Sequence, residues 1–230
     1  MKIRIKFSKY GSMKFIGHLD VMRYFQKLLR RADIPIAYST GMSPHQIMSF
    51  AMPLGIGAES DAEYVDIEIT ERIASDTAIK RMNEHNVEGI EILSFRELPE
   101  KAVNAMASIR AADYEVRFRE GMEPDFSCLQ TLRSMYEEPS IAVLKKTKKS
   151  ESLVDIKPGI YSIDGEDDRI MLCLSCGSAL NIKPELVLRA AYERKGKDLN
   201  DYALLVRRKE IYTEADGERI SLDKIGDDIV

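Results

Sequence analysis

The side chains from which catalytic and metal sites are usually built are few in this sequence: three histidines and three cysteines. His18 opens a helical pattern directly behind Gly17, and His45 ends the polar loop Gly41-Met42-Ser43-Pro44-His45, which can fold back over that helix. Flanked by Lys14, Arg23 and Lys27, the two imidazoles could shuttle protons in RNA cleavage without a metal. The structural alternative is that they cap a helix and hold a loop. His85 closes a helical stretch, where the helix dipole accounts for it. Cys173-Leu174-Ser175-Cys176 is a CxxC with no second pair, whereas zinc wants four ligands and an iron–sulfur cluster three or four thiolates. Strand positions three apart face opposite ways, so buried strand cysteines and no metal are expected.

Two further motifs fail on inspection. The loop at 41–45 resembles the GxSxG of a nucleophile elbow, but its last glycine is missing and Pro44 lacks the N–H that an oxyanion hole requires. Gly55-Ile56-Gly57-Ala58-Glu59-Ser60 begins like a dinucleotide fingerprint. It carries Ser at the third glycine, however, and leads into a strand pattern where the fingerprint needs a helix. Serine hydrolysis and dinucleotide binding are excluded, and no cofactor is expected.

Positive charge is the stronger signal. The chain's net charge is −4, yet residues 1–35 carry nine Lys/Arg against two Asp, leaving −11 on the remainder. Arg23, Lys27 and Arg30 stand at i, i+4 and i+7, on one face of a helix. The opposite face is a Leu/Met/Phe stripe: Leu19, Met22, Phe25, Leu28 and Leu29. A second cluster, Lys145, Lys146, Lys148 and Lys149, lies where a later strand runs into a loop. Two such patches can clamp a phosphate backbone, with Lys14 beside the first and Tyr10, Phe15 and Tyr24 near enough to stack on bases. The plainer alternative is cations that solvate the outer faces of a strand and a helix.

The elements that must hold these groups follow from periodicity. Residues 2–8 alternate, with Ile3, Ile5 and Phe7 inward, which predicts a half-buried strand. Residues 18–32 switch to helical spacing, Pro35 starts an extended segment, and 47–52 and 64–70 read as strands. A helix over 75–86 and a strand around 90–95 complete the order strand, helix, strand, strand, helix, strand. Residues 99–111 break the pattern and read as a linker. The order then restarts: a strand at 114–118, a helix behind Asp125 as cap, extended pieces at 141–144, 153–156 and 170–175, a helix opened by Pro184 and a strand at 203–212. The expected fold is α+β, two tandem ferredoxin-like (βαββαβ) lobes over 1–98 and 112–213. An acidic tail follows at 214–230, as a hairpin or a frayed end. No uncharged apolar run approaches the roughly 20 residues that cross a bilayer. The N-terminus MKIRIKF also lacks the apolar stretch of a secretory signal, and three cysteines make no disulfide framework. The chain is expected to be cytoplasmic, without a membrane partner.

Several long signatures resemble the radical SAM-linked family of uncharacterised proteins. They are Tyr10-Gly11-Ser12-Met13-Lys14-Phe15-Ile16-Gly17-His18-Leu19-Asp20 with Arg23 and Leu29-Arg30-Arg31-Ala32, and GMSPHQIMSFAMPLGIGAES at 41–60 followed by Glu63-Tyr64-Val65-Asp66. Val154-Asp155-Ile156-Lys157-Pro158 and Lys183-Pro184-Glu185-Leu186-Val187-Leu188 also fit. The sequence departs from the family at Gln46, where a proline is usual. The resemblance implies a radical SAM protein as partner and supplies no catalytic residues. The CxxxCxxC of radical SAM enzymes is absent from the sequence, so this chain is not itself the radical enzyme. The expected function is a non-catalytic RNA-binding or accessory module beside such a protein, in RNA modification or processing. RNA would be held by Lys14, Arg23, Lys27, Arg30 and the lysines at 145–149. The alternatives are an endoribonuclease using His18 and His45, and a protein–protein adaptor.

Overall fold

Alternation along β1 (Lys2–Lys9) buries Ile3, Ile5 and Phe7 completely. The computed structural model describes residues 1–146, 151–177, 180–215 and 217–230, and at 145, 146 and 151 the backbone only. The chain is α+β, with few helices, and divides into two compact units: Met1–Arg110 with Arg208–Val230, and Ala111–Arg207.

In the first unit β1 is followed by α1 (His18–Arg31), β2 (Met48–Phe50), β3 (Glu59–Glu68), α2 (Ser75–Glu84), β4 (Ile90–Glu97) and the short α3 (Ala105–Ser108). β1 lies between β3 and β4, and β2 pairs with β3, all antiparallel. Register places Ile5 opposite both Val65 and Phe95, so apolar positions of three strands share one face. α1 packs Val21, Phe25, Leu28 and Leu29 into that layer, and α2 packs Ala78 and Met82. Asn83 fastens α2 to β4 by exchanging 2.9 Å hydrogen bonds with both backbone groups of Ile92.

The other face of β1 is not solvated, which corrects the half-buried strand of the sequence reading. Arg4 is buried and holds Asp66 through two bonds of 2.8 and 3.0 Å, while donating to the Val103 carbonyl at 3.3 Å. Asp66 also accepts from Ala105 N at 2.8 Å. The stretch read as a linker thus lies across the polar side of the sheet, with Ala105 and Ile109 buried.

The second unit runs β5 (Ala111–Phe118), α4 (Cys128–Tyr136), β6 (Ala142–Lys146), β7 (Glu151–Asp155), β8 (Ile160–Glu166), β9 (Arg169–Ser175), α5 (Pro184–Arg194) and the first residues of β10 (Leu204–Ala215). β9 lies between β5 and β8, antiparallel to both, and β6 and β7 pair as a separate two-stranded antiparallel sheet. β8 was not foreseen: its inward residues are interrupted by Ser162, Asp164 and Gly165, so no apolar alternation marks it. The cap of α4 is Ser127, whose Oγ accepts from Gln130 N at 3.1 Å. Asp125, expected in that role, pairs with Lys197 instead.

The C-terminal residues return to the first unit. From Arg208 onward β10 runs beside β3, joined by the Lys209–Asp61 ion pair and by Tyr64 Oη donating to Glu210 at 2.5 Å. β11 (Glu218–Ser221) folds back on β10 as a hairpin around Gly217 (φ +80°), and β12 (Asp227–Asp228) pairs with β4. Leu222 and Ile229 are buried, so this acidic end belongs to the core it closes. Among the described residues no helix is long and apolar enough to cross a membrane.

Candidate nucleic-acid interface

α1 owes its position to its apolar arc. Val21, Phe25, Leu28, Leu29 and Ala32 are buried, and Asp33 leaves the helix with a positive φ of 51°. At about 100° of turn per residue, Leu19, Arg23, Gln26, Lys27 and Arg30 then occupy one outward arc about 100° wide. Arg23, Lys27 and Arg30 are all exposed. Arg23 approaches Asp20 at 3.4 Å, Arg30 Nε donates to the Gln26 carbonyl at 3.2 Å, and Lys27 has no ion-pair partner among the described residues. Leu19, expected in the core stripe, is 61% exposed, and Val21 takes the inward place. The spacing of Leu19 to Met22 and Phe25 suited the core, but the helix phase is set by Phe25, Leu28 and Leu29, which turns Leu19 outward.

The loop over 38–46 is tied to this helix. Tyr38 and Gln46 form a bridge, and the Gln46 amide donates to the Gln26 carbonyl at 3.2 Å and to Tyr38 Oη at 3.4 Å. Tyr38 is 49% exposed beside the middle of the arc. His45 lies at the loop's exposed base, its Nδ1 2.9 Å from Ser39 Oγ, and its N–H donates to that hydroxyl at 3.1 Å. His18 stacks edge-on against Phe50 at 5.3 Å. The two imidazoles therefore have separate partners. His85 bonds the Arg81 carbonyl at 2.8 Å, a helix-end role.

Lys14 stands apart from the arc. Its ammonium pairs with Glu59 at 3.0 Å, and its carbonyl accepts from Gly57 N at 2.8 Å, fastening the segment before α1 to the loop at 55–59. Phe15 beside it is 60% exposed, with the Lys14 ammonium 5.5 Å from its ring centre. Tyr24 is turned away: its Oη donates to Asn86 Oδ1 at 2.7 Å and accepts from Val87 N at 3.1 Å. The Lys148 and Lys149 cluster lies outside the described residues, and of Lys145 and Lys146 only the backbone, in β6, is placed. Cys173 lies in β9 and Cys176 just beyond it, both buried. The buried Cys128 thiol is pushed up to about 12 by desolvation, with Asp167 adding to the effect.

A second group of charges escaped sequence reasoning because its members lie far apart in the chain. Arg208 is fully buried, pairs with Glu63 and donates to the Met52 carbonyl at 2.9 Å. Lys9 is 3% exposed, and burial holds its ammonium below the usual lysine range, with Glu63 opposing that shift and Arg208 reinforcing it. These cations serve the interior. The exposed arc can reach a partner.

A family model described as "Uncharacterized protein conserved in bacteria" (DUF2344) matches residues 2–184. Comparison with curated proteins gives no match.

Proposed function

The chain belongs to that bacterial family, DUF2344, and on that footing we propose that it is a non-catalytic RNA-binding accessory module that works beside a radical SAM protein in the cytoplasm. The observation that carries the RNA reading is the outward arc of α1: three exposed cations at helical spacing on a chain whose net charge is −4. Such an arc is attracted to phosphates locally, without the non-specific binding of a wholly basic protein. The radical SAM partner is supported by the sequence signatures at 10–20 and 41–60. Both fall in the parts that build the arc and its flanking loop.

The finer fold reading, two tandem ferredoxin-like lobes, belongs with this proposal. It is supported in the first unit by the antiparallel order β4-β1-β3-β2 with α1 and α2 as the two crossovers. In the second unit it is supported by β9 lying between β5 and β8, with α4 and α5 in the corresponding places in the chain.

The test is RNA binding by the full chain and by a variant with Arg23, Lys27 and Arg30 replaced by Glu. Total cellular RNA and the proteins co-purifying with the tagged chain are read together. The expected result is RNA recovered with the wild type and lost from the variant, an iron–sulfur protein in the same eluate, and no RNA cleavage by either chain. Cleavage that disappears on replacing His18 and His45 by Ala would contradict the non-catalytic reading.

A further inference from the structure

The arc on α1 is bordered by aromatic and aliphatic groups that a simple phosphate rail does not need. Leu19 is part of the arc itself, in line with Arg23 and Arg30. Phe15, two residues before the helix cap Gly17, is exposed in the segment that leads into the helix, with the Lys14 ammonium 5.5 Å from its ring centre. Tyr38 presents a second ring beside Gln26, held there through Gln46. From Leu19 to Arg30 the arc runs about 16 Å at 1.5 Å per residue. Three exposed cations and Leu19 thus form one short, solvent-facing track, with Tyr38 beside its middle and Phe15 in the segment before the helix.

We infer that this track takes single-stranded RNA in preference to duplex, with Arg23, Lys27 and Arg30 on the phosphates and Phe15 and Tyr38 stacking on unpaired bases. The inference rests on the RNA reading above and names the form of RNA. A duplex keeps its base faces inside the stack and offers a surface of phosphates and 2′-hydroxyls, so exposed rings would find nothing to stack on. A single strand offers a base face with every phosphate, and stacking on an aromatic side chain is tolerant of sequence. The chemistry also differs from that of a protein-docking surface, whose core is depleted in charge and ringed by it. Here three exposed cations form the track itself.

The test uses the full chain and a fluorescent RNA of about twelve nucleotides with no self-complementarity, alone and annealed to its complement, followed by anisotropy. The single strand is expected to bind at least tenfold more tightly. Phe15→Ala and Tyr38→Ala should each weaken single-strand binding by at least about fivefold, with little change in duplex binding or in salt dependence. Phe15→Tyr, which keeps a ring, should retain affinity. Both positions are exposed, and unchanged thermal melting of the variants checks that the fold persists. Equal affinity for the two RNA forms, with loss only in the Arg23/Lys27/Arg30 variant, would overturn this inference and leave the RNA reading standing. Binding of no RNA in either form would overturn both. RNA affinity unchanged in the alanine variants, with a protein partner lost instead, would assign the rings to that partner and overturn the inference.

Discussion

Arg23, Lys27 and Arg30 on the outside of α1, and Arg4, Lys9 and Arg208 within the sheet of the first unit, are the same chemical groups held under opposite conditions. The inner set has given up water. Arg4 is matched by Asp66 and Arg208 by Glu63, each carboxylate reached across strands from a distant part of the chain. Lys6 and Lys14 are likewise engaged, by Glu210 and Glu59. The outer set is exposed to water and, among the described residues, has only the 3.4 Å approach of Asp20 to Arg23 as an ion pair. The local excess of positive charge in residues 1–35 is therefore two populations. One organises the fold, and the other remains available to a partner.

The sharpest way to break this comparison is to remove an inner cation. Arg208→Ala should leave Glu63 without its hydrogen-bonded partner, with Lys9 as a neighbouring cation, and cost about 2–4 kcal/mol, towards the lower end of the penalty for breaking a buried pair. Urea unfolding measures it, and a loss below about 1 kcal/mol would mean that Arg208 is not structurally committed. Asp66→Ala should cost a similar amount, about 2–4 kcal/mol, by releasing Arg4 and the Ala105 N–H together. It should also make the 99–108 segment newly sensitive to limited proteolysis.

Lys9 sharpens the comparison in the opposite direction. Its folded pKa lies below 10.5, so the unfolded chain binds the proton more tightly between the two values. Stability should therefore rise as pH climbs through the folded pKa towards 10.5, and the penalty of burying the charge is fully present below that window. Lys9→Met should remove the alkaline rise and stabilise the protein at pH 7 by about 1–2 kcal/mol. A variant that is less stable at pH 7 and keeps the slope would contradict the assignment. The smallest effect on folding is expected outside: replacing Arg23, Lys27 and Arg30 with Glu should change unfolding free energy by no more than about 0.5 kcal/mol per site.

How much of this was legible follows from the range of each interaction. The outward placement of Arg23, Lys27 and Arg30 was readable because helical period is local, and the inward faces of β1 and α1 were readable for the same reason. Leu19 was misplaced because one residue at the helix start fits two phases, and only the packing of Phe25, Leu28 and Leu29 chooses between them. Arg4 and Lys9 are two of the nine basic residues in 1–35, and the alternation of β1 alone would turn Arg4 to solvent. Nothing near them in sequence announces Asp66, Val103, Glu63 or Arg208. Lys14 was read with the basic patch for the same reason, since Glu59 is 45 residues away. The closing role of Leu222 and Ile229 was hidden by the acidic composition around them. Tyr38 escaped notice because its neighbours Gln46 and Gln26 meet only when the loop folds over the helix.

The salt dependence of single-stranded RNA affinity tests the central claim most directly. Each phosphate contact in a single strand contributes about −0.7 to the slope of log K against log salt. Neutralising the arc with Arg23→Gln, Lys27→Gln and Arg30→Gln should therefore flatten the wild-type slope by about two units while leaving the melting temperature unchanged. The same slope in wild type and variant, with the fold intact in both, would contradict the assignment of the outer cations of α1 to the RNA backbone.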